Sequence, residues 1–126
     1  MTVVFTPSAS TSVNPDAIAG TFPMPPVDGS NVDVTVQNTS PGMAWVAFAP
    51  GTGVGPSVST CLKVPSGAQV LLTANPAVLA ASSTNPLVQT LQGGAYATAT
   101  TFTVMTQQRG GALVVTRGTA AAAVVF

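Results

Sequence analysis

Residues Asn31–Pro50 read NVDVTVQNTSPGMAWVAFAP, and the fold follows from how these twenty positions are divided. Val32, Val34 and Val36 alternate with Asp33, Thr35 and Gln37, the period-2 pattern of a half-buried strand. Met43–Ala49 is a second β-prone run, and Pro41-Gly42 between them suits the centre of a type II turn, with Gly42 at positive φ. The expectation is a hairpin across Asn38–Gly42. It pairs Val36 with Ala44, Val34 with Val46 and Val32 with Phe48 on one apolar face. Asp33, Thr35, Met43, Trp45 and Ala47 then lie on the other face.

Outward from this unit the chain offers more short strands. Thr60–Thr73 predicts a second hairpin around Pro65-Ser66-Gly67, with Gly67 left-handed. Its pairs are Val64 with Ala68, Leu62 with Val70 and Thr60 with Leu72. Tyr96–Thr106 and Ala112–Arg117 read as strands flanking a Gln107–Gly111 turn, with the register left open. For a loop of odd length, Leu113 and Val115 fall on the opposite parity from Phe102 and Val104. Ile18–Pro26 carries too many prolines for anything but an edge strand, and Asn75–Leu91 reads as a short helix or a long loop between Pro76 and Pro86. Gly51–Ser57 is a glycine-rich loop, and Cys61, alone of its kind, reads as a small buried hydrophobe.

Short strands with turn signals every 8–12 residues or so predict an all-β fold. A β-sandwich or jelly-roll-like barrel of about seven or eight antiparallel strands suits the length, with extended arms at both ends. The division expected is an N-terminal strand and arm over 1–17, a sandwich over 18–118 and an apolar tail over 119–126.

Composition restricts function more than motifs do. Charged residues make up 5% of the 126 and net charge is zero, against about 25% charged in an ordinary domain. Three basic residues make no footprint for nucleic acid, where each neutralised phosphate takes its own Lys or Arg. No run approaches the roughly 20 apolar residues of a membrane span. MTVVFTPSAS has no basic n-region, so it does not read as a secretion signal. A neutral surface loses the electrostatic protection against self-association, which points to assembly with other proteins.

Catalysis and metal binding lack groups. There is no histidine and no glutamate, and the three aspartates all fall within the first 33 residues. Asp28 precedes Gly29 in a turn, Asp16 follows Asn14-Pro15, and Asp33 sits on the outward side of its strand, so all three read as structural. Neither an acid–base pair nor a zinc, transition-metal or calcium ligand set can be assembled from them. The reading is a non-enzyme with no cofactor. GTGVGP at Gly51–Pro56 lacks the spacing of a phosphate loop, and Asn38-Thr39-Ser40 matches a glycosylation sequon.

Two features point outward. Trp45, with Met43 beside it, is covered by a second sheet of its own domain or else is an aromatic anchor at a subunit interface. The run Ala120–Phe126 is a last strand or an arm laid on a neighbour's sheet edge, and the arm is preferred. Candidate interface residues are therefore Met43, Trp45, Val3, Phe5, Val124, Val125 and Phe126.

The order of these units resembles a known class. A proline-bearing lead-in, NVDVTVQN, WVAFAPG, VPSGAQVLL, TFTVM and LVVTRG, over roughly Ala19–Gly118, is similar to small β-sandwich virion proteins of tailed bacteriophages, described as head decoration or cement proteins. The chain departs from that pattern in its Ser/Pro-rich beginning, in Asn75–Gly94 and in AAAAVVF. The resemblance implies a virion protein assembled in the host cytoplasm. Its partners would be copies of itself, as a trimer, and the major capsid or neck proteins. A second function class is a fibre-tip module that binds a host-surface glycan or receptor through Trp45, Tyr96 and Gly51–Ser57.

Overall fold

The computed structural model describes residues 2–16, 18, 20–25, 33–49, 62–73, 75–80, 87–89, 101–108 and 110–123, and all that follows concerns these. The strands are β1 Thr2–Val13, β2 Gly20–Pro23, β3 Asp33–Asn38, β4 Ala44–Ala49, β5 Leu62–Val64, β6 Gln69–Leu72, β7 Leu87–Gln89, β8 Thr101–Thr106 and β9 Leu113–Ala123, with one helix, α1, at Pro76–Ala80. They form a five-stranded sheet in the order β1-β9-β3-β6-β7 and a four-stranded sheet in the order β2-β8-β4-β5.

The pairing is nested. β1 pairs with β9, β2 with β8, β3 with β6 and β4 with β5, all antiparallel. Successive rungs of this long hairpin fall alternately in the two sheets, and β3–β9 and β4–β8 ladders complete them. This is a jelly roll. The expected all-β sandwich is present, with nine strands among the described residues where seven or eight were expected. β7 is the addition, and it runs parallel to β6. A parallel pair needs a crossover connection, and α1 lies between the two strands in sequence. Asn75 starts that helix: its Oδ1 accepts from Ala77 N at 3.0 Å, and Pro76 fills the first turn where its missing N–H costs nothing.

The alternation places the core. Val34, Val36, Val70, Leu72, Leu113 and Val115 of one sheet meet Ala44, Val46, Phe48, Leu62, Val64, Phe102 and Val104 of the other in a single buried cluster. All of these are at most 8% exposed. The expected apolar faces are thus the faces buried.

The expected partners are not. β3 and β4 lie in different sheets, so Val34 and Val36 meet the β4 side chains across the core and not side by side. Asn31–Pro50 is an arch and not a hairpin. The same correction applies to Thr60–Thr73, where β5 and β6 separate into the two sheets, and to β8 and β9. The parity conflict between Phe102/Val104 and Leu113/Val115 is thereby resolved, because those strands never pair.

Three of these arches lock together at one end, around Asn38. Its Nδ2 donates to the carbonyls of Gly42 and Val64, both at 2.9 Å. Its Oδ1 accepts from Ser40 N at 2.9 Å and Ser40 Oγ at 2.5 Å. The backbone of Asn38 donates to Ala68 and accepts from Gly67, and Thr39 N donates to Ala112 O at 2.9 Å. Asn38 is wholly buried with both side-chain atoms engaged, so the sequon is a structural hub and no glycan fits on it. Gly67 is left-handed as expected, at φ 78°. Gly42 is not at positive φ. It is glycine because a Cβ there would press on Gln107 Cβ at 3.0 Å and Gln108 N at 3.1 Å.

The ends differ from the expected arms. β1 runs through the Ser/Pro-rich stretch to Val13 and pairs with β9 of its own chain from Thr2↔Ala123 to Val13↔Leu113. Thr2–Val13 of the expected arm and Thr119–Ala123 of the expected tail thus belong to one antiparallel ribbon continuous with the five-stranded sheet. Pro7 fits because β1 is an edge strand with a bulge between Pro7 and Ala9. β2 is likewise an edge, as its prolines predicted.

Candidate interaction surface

Each sheet has an inner face in the core and an outer face, and the two outer faces are built differently. On the five-stranded sheet, Leu71, Val78 and Ala120 form a second buried cluster, with Phe5 and Leu79 packed against it. Leu71 points out from β6 because Val70 and Leu72 point in. Helix α1 supplies Val78, which is fully buried. Asp33 and Thr35 on this face are buried as well, and the Asp33 carboxylate accepts from Ala120 N at 2.7 Å. The aspartate read as structural holds β9 where it runs past the end of β3.

The outer face of the four-stranded sheet has no such cover among the described residues. Ala44, Val46 and Phe48 point inward, so Trp45 and Ala47 point outward, and both are half-buried. Trp45 stands opposite Lys63 on β5 and Met105 on β8, and Ala47 stands opposite Thr103. Thr103 and Thr21 share a hydroxyl–hydroxyl hydrogen bond of 2.9 Å. Lys63 is the one charge on this face among the described residues, and it is exposed. The Trp45 Nε1 atom is buried without an acceptor, the one such side-chain atom among the described residues and a cost of about 1–3 kcal/mol to the fold.

Met43 precedes β4 at the arch end and is half-buried. Its N–H is 3.3 Å from Gln107 Oε1, and its carbonyl accepts from Gln107 N at 3.1 Å. Trp45 and Met43 thus share a face, and the second sheet does not cover Trp45. Phe5 does not join them. It lies over the outer face of the five-stranded sheet, half-buried in the satellite cluster, so its main packing is within the chain. Val3 pairs through its backbone with Ala122. Val124, Val125 and Phe126 lie outside the described residues, as do Tyr96, Cys61 and the Gly51–Ser57 loop. The expected interface residues therefore divide between opposite sides of the sandwich.

One buried cation went unnoticed in the sequence. Arg117 follows Leu113 and Val115 at inward parity and is 0% exposed. Its Nε–H donates to the Pro25 carbonyl at 2.7 Å, tying β9 to the segment after β2 in the other sheet. Burial pushes its pKa below the ordinary value by desolvation. The signal that could have found it was the two-residue spacing from Val115. The chain matches no family model, no curated protein and no solved structure.

Proposed function

We propose that the chain is a non-enzymatic virion structural protein of a tailed bacteriophage, a decoration or cement protein that oligomerises and stabilises a capsid or neck shell. The observation that carries this reading is the outer face of β4 and β8. Trp45, Met43 and Met105 stand there half-buried, with Lys63 as the accompanying charge. Trp and Met are enriched, and charge depleted, at the centre of protein interfaces. The motif order of the sequence, similar to that of phage decoration proteins, supports the same reading. The jelly roll agrees with it by analogy alone, since viral capsid proteins use this fold but so do lectins and cupins.

A standard interface takes about 800 Å² from each partner. Apolar contact contributes about 25 cal/mol per Å² before association costs. A central Trp is the side chain on which such an interface depends most. The test is binding of the purified protein to phage capsids stripped of it. Wild type binds, and Trp45→Ala weakens binding by about 2 kcal/mol or more, roughly thirtyfold. Wild-type protein that leaves stripped capsids bare contradicts the proposal.

The second reading, a fibre-tip module for a host-surface glycan or receptor, rests on the same half-buried Trp45. An aromatic face on a sheet suits a sugar ring as well as a protein. Trp45→Ala separates the two: intact assembly with lost host-cell binding selects the fibre tip.

A further inference from the structure

β1 ends the five-stranded sheet, and the direction of its backbone groups can be fixed. Ala120 N donates to the Asp33 carboxylate and Thr39 N donates to Ala112 O, so the even-numbered residues of β9 face β3. In an antiparallel ladder a residue's N–H and C=O point the same way, and hydrogen-bonded pairs alternate with non-bonded ones. Phe5↔Ala120, Val3↔Ala122 and Pro7↔Gly118 are therefore non-bonded pairs. Val3 and Phe5 direct N–H and C=O away from β9, toward the free edge. Pro7, which has no N–H, occupies the next outward position, as a proline on an edge should.

This edge carries few of the usual guards. Edge strands are normally short, charged or covered, but β1 has 12 residues and no charge precedes Asp16. Among the described residues its protection is Pro7 and the bulge after it, which leave the stretch before Pro7 uncovered. Val4 in that stretch is 47% exposed. The ribbon of Thr2–Thr6 with Thr119–Ala123 runs past the end of β3, and a two-stranded ribbon is marginal alone.

We infer that this edge pairs with the same edge of a second copy, β1 antiparallel to β1 about a two-fold axis through Val4. The occupant follows from self-complementarity. With Val3 of each copy opposite Phe5 of the other, the four outward N–H groups of these residues meet their four outward carbonyls, and Pro7 stands opposite no described residue. Shifting the register to set Phe5 against Phe5 places Val3 opposite Pro7 and leaves the Val3 carbonyls unmet. The chosen register also stacks Val4 on Val4 as a non-bonded pair, hiding an exposed apolar side chain with no like-charge repulsion. A two-fold contact of this kind is isologous and closes as a dimer. It belongs to the sheet opposite Trp45 and does not depend on what that face binds.

The test uses the full chain in a Cys61→Ser background. Val4→Cys places two thiols at a Cα separation of about 4.5 Å, within disulfide reach, and mild oxidation gives a covalent dimer. Thr6→Cys, set about 14 Å from its copy by strand rise, stays largely monomeric. Val3→Pro deletes an N–H with no partner among the described residues, so the melting temperature holds at concentrations where the protein is monomeric, while the dimer dissociation constant rises roughly tenfold or more. Sedimentation of wild type as a monomer or trimer, equal crosslinking of Val4→Cys and Thr6→Cys, or a dimer indifferent to Val3→Pro overturns the inference. Failure to bind stripped capsids would leave these results unchanged.

Discussion

The two outer faces of the jelly roll differ in a way that its two inner faces do not. Inside, both sheets present Val and Leu to one shared core, with Phe48 and Phe102 added by the four-stranded sheet. Outside, the five-stranded sheet carries Leu71 and Ala120 beneath α1 and Phe5, and the four-stranded sheet carries Trp45, Met105 and Ala47 half-buried. The covered face owes its cover to the stretch between β6 and β7 and to the N-terminal strand. Helix α1 and Phe5 thus finish the fold on that face, and the proposed shell contact uses the other.

That contrast can be broken most severely at Gly118. A Cβ there would fall on the Thr6 carbonyl oxygen and within 2.7 Å of Phe5 Cζ, and backbone cannot move aside as a flexible side chain can. Gly118→Ala is expected to cost about 3 kcal/mol, read as a lower denaturant midpoint, by separating β1 from β9 and lifting Phe5. A midpoint equal to wild type would mean the ribbon is not packed as described.

Leu71→Ala on the covered face empties a fully buried site and is expected to cost about 3 kcal/mol. Met105→Ala on the outer face of the four-stranded sheet removes a half-buried side chain and should cost under about 1 kcal/mol. Equal losses in urea titrations would show the two faces to be equally covered.

The smallest effect has the opposite sign. Trp45→Phe removes the buried Nε1–H that lacks an acceptor and keeps most of the aromatic surface. Stability should be unchanged or rise by up to about 1 kcal/mol, measured by thermal unfolding. A clear loss would mean that the indole N–H is satisfied in solution.

The all-β sandwich and the core residues were legible in the sequence because alternation reports which face of a strand is buried. Val34, Val36, Val46, Phe48, Leu62 and Val70 were all assigned to the apolar side, and all are in the core. Alternation does not report the neighbour. A hairpin partner and a strand across the core satisfy the same parity, so each arch passed for a hairpin. The clash of Phe102 and Val104 with Leu113 and Val115 was the local sign that consecutive strands belonged to different sheets. Asn38 hid for another reason: its partners, Gly42, Val64 and Ala68, are brought together only by those arches. Of the candidate surface, Trp45 and Met43 were legible as large apolar residues at outward parity. The packing of Phe5 was not legible, because the residues it packs with, in α1 and at Ala120, are remote in sequence.

The proposed shell contact is the outer face of the four-stranded sheet, and it is decided by co-sedimentation of wild type, Trp45→Ala and Leu71→Ala with stripped capsids at a temperature where all three are folded. Wild type and Leu71→Ala should bind alike, with Trp45→Ala about thirtyfold behind. Equal binding by Trp45→Ala and wild type would contradict it.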